Sequence, residues 1–179
     1  TYLLRHNTGS SRTPEEIQEL LASSLQACYE EVQLLIADYR QLTGTLPDPD
    51  AQLPDFPFAD EQAILDDLTV RMEDDFPSLS SLTDQLPSCR TETVAESMEA
   101  YTSPAFYLTP PMDDVQENVI YVNQSSTAPG LELYTTLAHE GYPGHLYQTV
   151  YSQLYENAKT DNPVRNVLYY GGFVEGWAY

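Results

Sequence analysis

Positive charge is scarce in this sequence. Seven basic residues stand against 28 acidic ones, only Lys159 is a lysine, and the net charge is −21. A surface this negative repels phosphate backbones and anionic headgroups, so nucleic acid and acidic membrane surfaces are poor partners. Cysteine is almost absent too. Cys28 and Cys89 form no CxxC pair, which excludes a thiolate zinc site or a dithiol redox motif. The sequence leaves open whether the two pair, and so leaves the redox compartment open. Long apolar runs are missing. The longest clean stretches resemble Leu34-Leu35-Ile36-Ala37, far short of the ~20 residues a membrane-spanning helix needs. There is no signal peptide and the first residue is Thr1, so the chain is expected to start after processing or inside a longer polypeptide.

What is present argues for a folded domain. The chain has 179 residues, 41% of them hydrophobic. A chain of that size buries roughly 70% of its unfolded surface, which allows a real core. Residues 1–12 read as irregular. Thr13-Pro14-Glu15-Glu16 is then a strong helix start: Thr13 can cap, Pro14 suits the first helical position and Glu16 completes a capping box. Apolar positions follow at steps of three and four: Ile17, Leu20, Leu21, Leu25, Cys28, Val32, Leu35, Ile36, Tyr39 and Leu42. This spacing predicts one long amphipathic helix ending at Gly44, with Cys28 in a core. So long a helix needs partners along its length, and the rest of a parent polypeptide is the expected one.

Pro47, Pro49, Pro54 and Pro57 make a loop of 45–58. A second helix is expected from Asp60 to Phe76, then a short turn over 78–89. After residue 90 the texture changes. Thr91–Ala95, Ala105–Thr109 and Asn118–Asn123 are β-type runs separated by turn formers, which predicts a small antiparallel three-stranded sheet. Helical pattern returns near Gly130, breaks at Pro143-Gly144 and resumes to about Ala158, with two short helices over 163–170 and 173–179. The fold class is therefore α+β and mainly α. Residues 1–89 form a helical segment and 90–179 a sheet with further helices, together one structural unit.

Histidine is rare as well: two of only three lie in His139-Glu140-Gly141-Tyr142-Pro143-Gly144-His145. Neutral imidazole is a good zinc ligand, and a neighbouring carboxylate can take a proton from water. In the familiar H-E-x-x-H helix a spacing of four puts both rings on one face. Here the spacing is six, which on a straight helix turns the second ring about 240° away. Pro143 clashes with the carbonyl four residues back, that of His139, and Gly144 relaxes the next peptide. A bulge absorbing two residues would return His145 to the position a spacing of four gives. The alternative is a plain helix–turn–helix corner with two incidental histidines. Glu175 is the best-placed third ligand. Between Glu156 and the chain end only it and Asp161 are acidic, and it sits among glycines and aromatics. An ordinary capping or solvated glutamate is the other reading.

The pairing of that stretch with Glu175-Gly176-Trp177-Ala178 resembles the DUF885 family, bacterial proteins regarded as zinc-dependent peptidases and often lipoproteins. The runs Ala105–Asp114 and Asn118–Asn123 are similar to it too. The resemblance implies a gluzincin-like helical site with His139, His145 and Glu175 as zinc ligands and Glu140 as general base. It implies metal-assisted hydrolysis of a peptide or small amide, and a chain that is part of a longer protein. An extracytoplasmic lipoprotein is one expected setting and the cytoplasm another. Tyr169, Tyr170 and Tyr142 are candidates to stabilise an oxyanion, and each has packing as its plainer role. Asp113 and Asp114 could line a cleft or form a solvated turn. Tyr147, Tyr151 and Tyr155 repeat every four residues, as one face of a helix does. A non-catalytic binding domain and a purely structural helical module remain as alternative functions.

Overall fold

The computed structural model describes residues 2–48, 57–159, 164 and 168–179. The chain divides into two compact units, Thr1–Pro54 and Asp55–Tyr179. The first unit holds α1 (Tyr2–Thr8) and α2 (Pro14–Thr43). The stretch expected to be irregular at the start is thus helical over most of its length. Helix α2 begins as its sequence dictates: the Glu16 amide donates to Thr13 Oγ1 and the Glu16 carboxylate accepts from the Thr13 amide. It ends at Gly44, whose φ of 75° is a conformation glycine takes without a Cβ penalty. Within this unit none of the α2 stripe is buried, and Cys28, expected in a core, is exposed and free. The cause is simple: a lone helix with a seven-residue neighbour in its own unit has nothing to bury its stripe against.

The second unit carries α3 (Glu61–Arg71), β1 (Ser88–Thr93), β2 (Ala105–Leu108), β3 (Glu117–Val122), α4 (Leu131–Glu140), α5 (His145–Lys159) and α6 (Gly171–Ala178). Single 3-10 turns occur at Leu79–Ser81 and Glu99–Tyr101. Helix α3 is capped by Asp60, whose carboxylate accepts from the Ala63 amide. It stops at Arg71 and continues to Phe76 only as turns. Most of the proline-rich 45–58 stretch and nearly all of the helix expected over 163–170 lie outside the described residues.

Strands β2 and β3 fall where their sequences placed them, whereas β1 starts three residues before the expected 91–95 run, inside the stretch read as a turn; the sheet is mixed, in the order β1-β3-β2. Strand β1 runs parallel to β3, pairing Ser88 with Glu117 through Thr93 with Val122, and β2 runs antiparallel, pairing Ala105 with Val122. The antiparallel meander is therefore corrected. Consecutive strands pair across tight turns, whereas the segment between β1 and β2 is long enough to carry β2 to the far side of β3. Central β3 shows the alternation that half-burial requires, with Asn118, Ile120 and Val122 inward.

Three helices pack on the sheet. Ile64, Leu65 and Leu68 of α3 meet Leu137 of α4, Leu146, Tyr147 and Val150 of α5, and Ile120 and Val122 of β3 in one cluster. Polar ties fix the layers. Tyr134 donates to Asp67 at 2.8 Å, joining α4 to α3, and the Tyr147 hydroxyl donates to the Pro77 carbonyl at 2.7 Å. Asn118, itself buried, donates to the Ser88 and Val115 carbonyls and accepts from the Tyr107 hydroxyl at 2.7 Å. Ile120→Ala, at a position with 0% exposure, should therefore cost about 2–5 kcal/mol of unfolding free energy in urea. Val70→Ala, on the 65%-exposed side of α3, should stay within about 0.5 kcal/mol; equal losses would mean the buried face of α3 is misassigned.

Candidate functional site

The site is built on the corner between α4 and α5. Helix α4 ends normally, with the Gly141 amide bonded to the Leu137 carbonyl. The ladder then slips. The Gly144 amide donates to the Ala138 carbonyl and the Tyr147 amide to the Gly141 carbonyl, each six residues back where an α-helix has four. Regular spacing resumes with the Gln148 amide on the Gly144 carbonyl. Two residues are absorbed, and the Tyr142–Pro143 peptide within the corner is cis. His145 therefore comes back over His139, with ring centroids 4.6 Å apart and planes at 82°. The corner leaves no space at Gly144: a Cβ there would lie 1.8 Å from the His139 carbonyl oxygen.

The third group arrives on α6. Glu175 Oε2 lies 3.6 Å from Nε2 of His139 and 3.6 Å from Nε2 of His145. One donor atom from each of the three residues falls within 4.8 Å of the other two. Two neutral imidazoles and a carboxylate are the donor set of a borderline-soft divalent ion, and bonds near 2.0–2.2 Å in tetrahedral array put donors roughly 3.3 Å apart. The residues present fit such an ion. His145 is the more enclosed ring, 13% exposed, and its Nδ1 is buried without a partner among the described residues. Burial and the edge of His139 thus set its orientation.

Glu140 lies beside this cluster. Its Oε2 accepts the Tyr107 amide at 2.8 Å, from the edge of β2 that does not face β3. Burial pushes its carboxyl above the usual range and the charge of Glu175 adds to this; the Tyr107 amide and both imidazoles pull the other way. A cavity of about 390 Å³ opens over the group, lined by His139, Glu140, His145 and Glu175 with Ser103, Tyr107, Thr109 and Thr149 among others.

The tyrosines divide differently from expectation. Tyr169 and Tyr170 are exposed, at 71% and 49%, and neither lines the cavity. Tyr142 is buried, and that burial drives its phenol far above its ordinary value. All three stand near the motif in sequence but not at the cavity wall. Asp113 and Asp114 are exposed in a turn, where Asp114 accepts the Gln116 amide. The stripe Tyr147, Tyr151, Tyr155 grades from core to solvent. Sequence reading missed the lining hydroxyls of Ser103, Thr109 and Thr149, which no motif marks, and the Tyr107 amide, which carries no side-chain signal.

The corner makes a sharp stability forecast. Gly144→Ala should destabilise by more than about 3 kcal/mol, because the new methyl meets backbone and not a movable side chain. Gly176→Ala on α6, where a Cβ meets nothing within 4 Å, should stay within about 1 kcal/mol. Thermal unfolding of both variants checks this, and a Gly144→Ala protein as stable as the parent would mean the corner is not built this way.

No described helix is long and apolar enough to cross a membrane. No curated protein matches the chain. Among solved structures, a "putative lipoprotein" from Colwellia psychrerythraea shares the fold, with a TM-score of 0.70 at 16% identity over 99% of this chain. The chain spans 32% of that protein's length. A family model described as a bacterial protein of unknown function, DUF885, matches residues 1–179, and the chain belongs to that family.

Proposed function

We propose that this chain carries the metal site of a zinc-dependent hydrolase that cleaves amide bonds, a peptidase by class of reaction. The observation that carries the reading is the meeting of His139, His145 and Glu175 within 4.8 Å, with the Glu140 carboxylate on the same cavity wall. Three protein donors with room left for a fourth are the pattern of catalytic zinc, whereas structural zinc is closed by four.

His139, His145 and Glu175 would hold the ion. A divalent ion there supplies Lewis acidity, polarising an amide carbonyl and making water a better acid. The remaining work falls to this chain's own groups. With Oε2 engaged by the Tyr107 amide, Glu140 keeps Oε1 to accept a proton from water and later return it to the leaving nitrogen. The raised proton affinity of a half-buried carboxyl suits a group that must both take and give. The β2 edge and the hydroxyls of Ser103, Thr109 and Thr149 offer the polar contacts an extended amide backbone needs.

Elemental analysis of protein kept from chelators should find one zinc per chain, lost in His139→Ala. Glu140→Gln should retain zinc while turnover of a peptide amide falls by at least about a hundredfold. Unchanged turnover removes Glu140 from the base role. A zinc-free parent protein favours the non-catalytic binding module instead.

A further inference from the structure

We propose that Trp177 is a positioning residue: its indole docks α6 onto the α4–α5 corner and so brings the Glu175 carboxylate to the two histidines. The inference rests on the metal reading only for its zinc measurement.

Trp177 is the chain's only tryptophan. Its indole N–H donates to the Pro143 carbonyl at 2.7 Å, so the acceptor belongs to the bulge that separates His139 from His145. The ring packs edge-on against Phe76 at 6.0 Å and near-parallel to Tyr147 at 6.2 Å. Tyr147 is anchored in the core and bonded to Pro77. The indole thus links α6 to the core of the unit.

Helix α6 has little else to hold it. It is eight residues long and none of them is buried. Helices much shorter than ~12–15 residues are marginal alone, so its folding depends on docking. Another polar tie in the described residues, Gln148 Nε2 to the Phe173 carbonyl, is longer at 3.3 Å. Positions 175 and 177 are about 200° apart around a helix. Glu175 and Trp177 therefore grip the corner from different sides of α6, and losing one grip lets the helix roll. Indole suits the task because it joins a large apolar ring to a single donor. Phenylalanine keeps the ring and removes the donor.

The test uses the 179-residue chain with Trp177→Phe, Glu175→Ala and the double variant. Zinc affinity is read by competition with a chromophoric chelator, and amide exchange over 171–178 is read in zinc-free protein. Trp177→Phe should weaken zinc about tenfold or more. In the Glu175→Ala background the same change should alter affinity less than about twofold, because the residue it positions is gone. Exchange over α6 should rise several-fold while β3 stays protected. Equal weakening in both backgrounds overturns the proposal, and so does a Trp177→Phe protein with unaltered zinc affinity and unaltered α6 exchange. If the parent takes up no zinc, the hydrolase reading fails by itself. The exchange result then decides the docking claim: faster α6 exchange sustains it and unchanged exchange overturns it.

Discussion

Everything at the site depends on a two-residue slip in a helical hydrogen-bond ladder. Without it, the turn from residue 139 to 145 would point the imidazoles about 120° apart around a rod. With it, α4 and α5 keep a shared hydrophobic face, and Leu137, Leu146 and Val150 remain in one core. The slip is expensive to build. It needs a residue lacking an amide proton, and next to it a residue lacking a side chain, because the His139 carbonyl occupies the place where a Cβ would go. It also needs new partners for the amides that lose their usual acceptors, and the Ala138 and Gly141 carbonyls supply them. A turn that merely reversed chain direction would not have to restore helical bonding six residues on.

The sheet contributes a second constraint, and it acts through backbone rather than side chains. Strand β2 is an edge strand whose outward amide at Tyr107 is spent on Glu140. Edge amides are usually left to water or to another strand. This one is held in place by its own side chain: the Tyr107 hydroxyl bonds Asn118, which ties the starts of β1 and β3 together. Burial pushes the Tyr107 phenol above its ordinary value, which favours the protonated form that donates to Asn118. The position of Glu140 is thus fixed both from its helix and from the sheet. Cys89 shares these surroundings, and burial pushes its thiol up to about 12, which makes it inert packing and no nucleophile.

Local signals were legible in the sequence and long-range ones were not. The capping box at Thr13, the stop at Gly44, the break at Pro143-Gly144 and the positions of β2 and β3 all rest on contacts between near neighbours. Strand order rests on where a long connection goes, and no residue between 94 and 104 encodes that by itself. The α1 helix was missed because seven residues whose apolar members Tyr2, Leu3 and Leu4 are adjacent show no apolar period; the cap at Gly9, whose amide bonds the Arg5 carbonyl with φ 69°, was the signal that could have found it. The meeting of His139, His145 and Glu175 was legible because scarcity marked them: few histidines, and a lone acid in an aromatic stretch. The exposed Tyr169 and Tyr170 show the limit of reasoning by proximity. They precede α6 in non-helical chain, so closeness in sequence to Glu175 does not carry them to the cavity wall.

Charge balance at the cluster explains why its parts do not simply push apart. Glu140 and Glu175 carry like charges near one another in a chain with a net charge of −21, and the charge of Glu175 raises the cost of ionising Glu140. His139 and His145 act in the opposite direction on Glu140. A single divalent cation held, as proposed, by His139, His145 and Glu175 would relieve the repulsion between the two carboxylates. It would also favour the state in which α6 is docked, because only that state presents the third donor. On that reading the helix with no buried residue carries the group that completes the site, and completion and docking would stabilise each other by linkage.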